Sequence, residues 1–222
     1  MSLLSHKILL IAILLFSITS CTQDKANILI IGDSISIGYT PFVKERLAHT
    51  ARVVHNPGNA QHTATGLAKV EDWLAEGEWD IVQFNWGLWD LCYRHPDSKV
   101  QGKRDKKNGT LTHTVEQYVA NLDSIVNILK SKTDAKLIFV TTTYVPENEA
   151  GRYTQDAPRY NEAAKKLMQK HAILVNDIYD ASLKIHQELG KGSDNVHYSK
   201  PGYAKLSEMV SDFLQTEIAA LQ

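Results

Sequence analysis

Asn27-Ile28-Leu29-Ile30-Ile31-Gly32-Asp33-Ser34-Ile35-Ser36-Ile37-Gly38 is the stretch from which the rest of the chain is best read. Its apolar run is short, continuous and stopped by Gly and Asp, which predicts a strand buried on both faces of a parallel sheet. An amphipathic segment, Phe42 to Leu47, follows. Ser34 is therefore expected in a strand-to-helix turn at the carboxyl end of a strand, the edge where open α/β sheets bind ligands. Backbone N–H groups of the coming helix would lie beside it, able to hold a developing negative charge. Asp33 and Ser34 also suit a simpler task, capping that helix.

Outward from this strand the chain alternates. Strands are predicted at Ile28 to Ile31, Ala51 to His55, Asp80 to Phe84, Lys136 to Val140 and Ile173 to Val175. Helices are predicted over about Pro41 to His49, Thr65 to Ala75, Val115 to Lys130, Pro158 to Lys170, Tyr179 to Leu189 and from Ser199 to about Ala219. Pro41 suits a first helical turn, and Ser199-Lys200-Pro201 has the form of a cap and first turn. Strands alternating with helices call for one parallel sheet covered on both faces. Right-handed crossovers then gather the strand-to-helix loops on one edge, including the Ser34 turn and the loops at Gly58, Asn85 and Tyr144. Tyr93 to His113 breaks the pattern, a polar and basic loop long enough to read as functional and suited to attracting anions.

The formal net charge is −1, so the chain lacks the basic excess of nucleic-acid binders. Residues 1–20 read as a secretory leader: Lys7, an apolar block from Ile8 to Phe16, then small residues. Ile18-Thr19-Ser20-Cys21 resembles the bacterial lipobox, which implies a lipid on Cys21, a tether over 21–26, one domain over 27–222, and an exported chain anchored to a bacterial membrane. The alternative is an ordinary secretory signal with an incidental cysteine. Cys92 is expected to pack in the interior, with a nucleophilic role as the rival reading.

Asp194-Asn195-Val196-His197 supplies what Ser34 lacks. A serine hydroxyl needs a base within hydrogen-bond reach, histidine titrates near neutral pH, and a carboxylate on its second ring nitrogen fixes the tautomer. Asp194 is the expected carboxylate and His197 the expected base.

Gly32-Asp33-Ser34 near the start, paired with Asp-x-x-His about 160 residues later, resembles the GDSL or SGNH esterases and lipases, with Ile35 in place of their usual Leu. The resemblance implies a flavodoxin-like three-layer α/β/α sandwich with a five-stranded parallel sheet, and hydrolysis of carboxylic esters without metal or cofactor. It also implies an oxyanion hole formed by the Ser34 N–H, an asparagine at the third strand end (here Asn85) and a second-block donor. For the latter Gly58 is assigned, with the backbone N–H of Gln61 or His62 as alternatives. Asn85-Trp86-Gly87-Leu88-Trp89-Asp90 departs from the family's Gly-x-Asn-Asp block. Trp86 and Trp89, and with less support Tyr144, Tyr153 and Tyr160, are candidates for stacking on a sugar or lining an acyl pocket. His55, His62, His95, His113, His171 and His186 show no ligand spacing and read as surface or packing residues. The expected substrate is an O-acetylated glycan. The rivals are a lysophospholipase or short-acyl esterase, a metal-dependent phosphoesterase using Asp33, Asp90, Asp194 and His197, and a non-catalytic glycan-binding protein on the same fold.

Overall fold

The computed structural model describes residues 25–221, so the expected leader and Cys21 lie outside the described residues. The strands are β1 (Ala26–Ile31), β2 (Ala51–His55), β3 (Ile81–Phe84), β4 (Tyr93–Arg94), β5 (Thr110–Leu111), β6 (Lys136–Val140) and β7 (Leu174–Asn176). Five of them form a wholly parallel sheet in the order β2-β1-β3-β6-β7. β1 is central to its packing. Ile28 faces Val53 of β2 and Ile81 of β3, and Ile28 to Ile31 are inaccessible to solvent. A strand with helices over both faces has no polar side to show, which is why it reads as an unbroken aliphatic run. β1 takes in Ala26, the last residue of the expected tether.

The helices are α1 (Ser34–Arg46), α2 (Thr63–Leu74), α3 (Val115–Lys132), α4 (Asp156–Lys170), α5 (Tyr179–Leu189) and α6 (Lys200–Ala219). α6 packs against α1 and α5, while α3 packs against α2 and α4, so two helical layers enclose the sheet. The structure is thus the expected α/β/α sandwich. Among the described residues no helix is long and apolar enough to cross a membrane.

α1 starts about two turns before the sequence pattern suggests. Asp33 caps it, its Oδ1 accepting the Ile35 N–H at 2.9 Å, which places Pro41 inside the helix rather than in its first turn. Pro41 has no N–H to offer the Ile37 carbonyl. Ile37 is exposed, so water can take that acceptor. The Thr40 hydroxyl donates to the neighbouring Ser36 carbonyl at 2.6 Å.

The segment after β3 carries a two-stranded antiparallel hairpin, β4 with β5. It is fastened to the segment before α4: Tyr93 N–H donates to Gly151 O at 2.7 Å and Lys106 N–H to Ala150 O at 2.7 Å. The Tyr153 hydroxyl donates to Lys106 O at 2.7 Å. The polar loop of the sequence is therefore an ordered flap.

Candidate active site

Ser34 is the first residue of α1 and His197 lies in the loop before α6. The two meet across the carboxyl edge of the sheet, Ser34 Oγ standing 2.9 Å from His197 Nε2. Two contacts place Ser34. Gly32 N–H donates to Asn56 Oδ1 at 2.9 Å and Gly32 O accepts from Ala60 N–H at 2.9 Å, which fixes the end of β1. A Cβ on Gly32 would stand 2.6 Å from Ser36 Oγ, so only glycine lets the helix turn away so sharply. The capping reading and the nucleophile reading thus fall on different residues. Asp33 caps, and Ser34 is left partly exposed with its hydroxyl toward His197.

The second nitrogen of His197 does not meet Asp194. Nδ1 lies 2.7 Å from Asn195 Oδ1, which also accepts the His197 backbone N–H at 3.0 Å. This is an Asx turn, in which the side chain of residue i accepts from the N–H of i+2. Asp194, one residue earlier, is exposed, and the imidazole nitrogen it was expected to hold is already taken by the amide. In this structure Asp194 makes no hydrogen bond to His197, whose Nδ1 is held by Asn195 instead. The geometry also sets the tautomer. A backbone N–H can only donate, so the atom facing it is the amide oxygen; Nδ1 must then carry a proton, and Nε2 presents its lone pair to Ser34. The loop itself is held by His186, whose Nε2 donates to Asn195 O at 2.7 Å, and by Lys191 N–H donating to His197 O at 2.9 Å.

Burial holds the His197 pKa below its ordinary value of 6.5, and the cations Lys191, Arg152 and Arg104 push it further down against the opposing pull of Glu149. The imidazole is therefore a neutral base at neutral pH. Asp33 is displaced the other way, its carboxyl raised chiefly by burial.

Ser34 and His197 open into a cleft of about 380 Å³. Asn59, Trp89, Arg94, Arg104 and Arg152 share its walls. Neither Asn85 nor Gly58 does. Asn85 Nδ2 donates to Val140 O at 2.7 Å, continuing the β3–β6 pairing one step past Phe84 and Phe139; the side chain is a strand-end fastener. Gly58 is exposed with a φ of +69° and open space around it, so it serves the turn. Its neighbour Asn59 reaches the cleft. Asn59 Oδ1 accepts the Gln61 N–H at 2.8 Å, which leaves the amide N–H₂ as a donor and takes the Gln61 N–H out of contention. Asn59 is the residue that sequence reasoning misses, one position beyond the assigned glycine.

The aromatic candidates divide. Trp89 lines the cleft, whereas Trp86 is buried with its Nε1 donating to Ala60 O at 3.2 Å. Tyr160 is core, and Tyr153 braces the flap. Gly87 lets this segment turn, having a φ of +150° and only 2.0 Å between a notional Cβ and Thr142 Oγ1. Cys92 is buried and its thiol pKa is raised by that burial, as packing requires. The carboxylates of the phosphoesterase reading do not converge. Asp90 is committed to the Thr63 hydroxyl at 2.6 Å and to His113 Nδ1 at 2.7 Å, and Asp194 is exposed. Other histidines have local partners, His55 with Ser36 and His171 with Asp123.

An α/β/α sandwich with a serine and a histidine in contact at the carboxyl edge of its parallel sheet defines a serine-hydrolase type of architecture. The chain belongs to the GDSL-like lipase/acylhydrolase family, a family of ester hydrolases, whose profile matches residues 30–205. Among solved structures it is similar to the acetyl xylan esterase AlAXEase, with a TM-score of 0.66 and 16% identity over 84% of this chain and 98% of that one. It is similar to the acetylxylan esterase Axe2 from Geobacillus stearothermophilus, with a TM-score of 0.65 and 20% identity over 85% of this chain and 94% of that one. A lipase/acylhydrolase from Enterococcus faecalis superposes with a TM-score of 0.68 and 20% identity over 86% and 96% of the two chains. No curated protein matches the chain by sequence.

Proposed function

We propose that this esterase removes short O-acyl groups, acetyl above all, from a glycan, and that Ser34, His197 and Asn195 are its reacting and orienting groups. The observation that carries the reading is the 2.9 Å contact between Ser34 Oγ and the unprotonated His197 Nε2. Ser34 Oγ attacks the ester carbonyl while its proton passes to Nε2. The tetrahedral oxyanion is held by the Ser34 N–H at the start of α1 and by the Asn59 amide, donors that need no reorganisation. Collapse expels the sugar oxygen, which takes the proton from His197 and leaves an acyl-Ser34. Water then attacks with His197 again as base, and the carboxylic acid departs. Asn195 accepts from Nδ1–H throughout and keeps Nε2 aimed at Ser34. An amide stabilises the imidazolium less than a carboxylate does, which fits a histidine already biased toward neutrality by its surroundings.

A short acyl group on a sugar is favoured over a lipid chain by the guanidinium and amide groups that share the cleft wall with Leu88, Val196 and the half-buried Trp89 ring. Two of the similar structures are acetylxylan esterases. The lipobox-like Ile18-Thr19-Ser20-Cys21 supports anchoring through Cys21 at a bacterial membrane. Acetate release from a panel of acetylated glycans, run beside p-nitrophenyl esters of rising chain length, tests the substrate. Activity peaking at acetate and on glycans is expected; activity rising with chain length would favour a lysophospholipase instead.

A further inference from the structure

Three arginines from separate segments meet in the cleft beside Ser34, and they are not equally neutralised. Glu149, fully buried, is shared by two of them. Its Oε1 is paired with Arg104 Nη1 and with Arg152 Nη1, the latter at 3.0 Å. Its Oε2 accepts the Gly151 N–H at 2.7 Å. Arg152 is further tied down by Nε donating to Leu88 O at 2.5 Å. Arg94 is different. It is half-buried at the cleft wall, and among the described residues it has no carboxylate partner. Its Nη1 donates to the Gly102 carbonyl, and its guanidinium lies over the Trp89 ring, 4.8 Å from the centroid. Stacking on an indole holds the guanidinium while leaving N–H edges free, and that planar fork matches a carboxylate. Taking a charge partly out of water without a countercharge is costly. Three guanidiniums against the carboxylates of Asp33 and Glu149 leave the cleft with a positive excess in a chain of formal net charge −1, a local device rather than a general property.

We propose that the acylated sugar this enzyme accepts carries a carboxylate, as a uronic acid does, and that Arg94 on its Trp89 platform is the seat of that carboxylate. The inference deepens the esterase reading and rests on it. Arg94 fixes the sugar by its acid group so that an ester a few ångströms away falls on Ser34. Arg104 and Arg152, half-spent on Glu149, supply a positive surround. A neutral glycan would offer Arg94 hydroxyl acceptors but no countercharge.

The test compares kcat/KM on an O-acetylated uronic-acid oligosaccharide with kcat/KM on the same oligosaccharide after its carboxyl groups are reduced to alcohols. The acidic form should be preferred by about 10- to 100-fold at low ionic strength, the range expected of charge-assisted hydrogen bonds. The preference should shrink as salt is raised. Arg94→Gln should bring the ratio close to one, and Arg94→Lys should leave an intermediate ratio. If Arg94→Gln does not fold, the wild-type ratio and the lysine variant decide. Equal rates on the two wild-type substrates would overturn the inference and leave the esterase reading intact, as would a preference for a sulfated over a carboxylated glycan. If neither substrate nor p-nitrophenyl acetate is cleaved, the esterase reading itself fails. Calorimetry of Ser34→Ala with D-glucuronate against D-glucose then decides the anion site alone. Binding of glucuronate only, lost with Arg94→Gln, supports it; equal or no binding overturns it.

Discussion

Replacing Asn195 by Ala removes the acceptor on His197 Nδ1 and leaves Ser34, His197 and the exposed Asp194 in place. The contact is 2.7 Å in the resting enzyme and becomes charge-assisted when His197 takes the Ser34 proton. A hydrogen bond to a charged group is worth about 1.5–3 kcal/mol, and each 1.36 kcal/mol of barrier is about tenfold in rate. The expected loss in kcat for Asn195→Ala is therefore roughly 10- to 150-fold, with KM little changed. Asp194→Ala removes an exposed side chain and should stay within about twofold of the wild type. Asn195→Asp places a carboxylate against Nδ1, which favours the imidazolium. The acid limb of kcat/KM should then move to higher pH, whereas in the wild type it should fall below the ordinary histidine value of 6.5. The assay is p-nitrophenyl acetate hydrolysis from about pH 4.5 to 9, a range that brackets histidine titration, with thermal melts to show that each variant is folded. A crippled Asp194→Ala beside a healthy Asn195→Ala would refute the reasoning and return the orienting role to the aspartate.

The oxyanion donors divide two asparagines: Asn59→Ala should lower kcat by about 100- to 1000-fold, while Asn85→Ala should keep near-normal kcat and lose about 1 kcal/mol of stability in urea titrations. Glu149→Gln leaves Arg104 and Arg152 facing each other across a buried site without their shared anion, and should cost about 3–5 kcal/mol by the same titrations; unchanged stability would mean that solvent already screens the two guanidiniums. Cys21→Ala should release the protein from the membrane fraction of expressing cells, and unaltered retention, or a mature N-terminus without lipid, would refute the anchor.

The centre of the sheet is legible in the sequence because β1 and β3 are buried on both faces. A run such as Ile28 to Ile31 is too short for a helix and too apolar for a surface. Boundaries governed by a side chain are harder to read. The apolar pattern around Phe42 to Leu47 places a helix, but only Asp33 reaching the Ile35 N–H carries α1 back to Ser34. The β4–β5 hairpin leaves no local pattern at all, because two-residue strands are held by distant partners such as Gly151 and Tyr153. In the site, Ser34 and His197 are legible from motif chemistry. The Asp-x-x-His spacing does not say which of two adjacent polar side chains curls back on the ring; in this structure Asn195 does so, through an Asx turn. Asn85 escapes a sequence reading because a strand-end asparagine has a carbonyl of the next strand within reach. The basic loop holding Arg94 and Arg104 is legible as a place for anions, but its convergence with Arg152 on one cleft is not, because that depends on the flap's folding onto the segment before α4.

The central claim is that Ser34 is the nucleophile, activated by His197. Incubation with a fluorophosphonate, followed by intact-mass and peptide mass spectrometry, tests it most directly. One adduct per chain is predicted, on the peptide containing Ser34, absent from Ser34→Ala and strongly slowed in His197→Ala. An adduct elsewhere, or full ester hydrolysis by a clean Ser34→Ala preparation, would contradict the account.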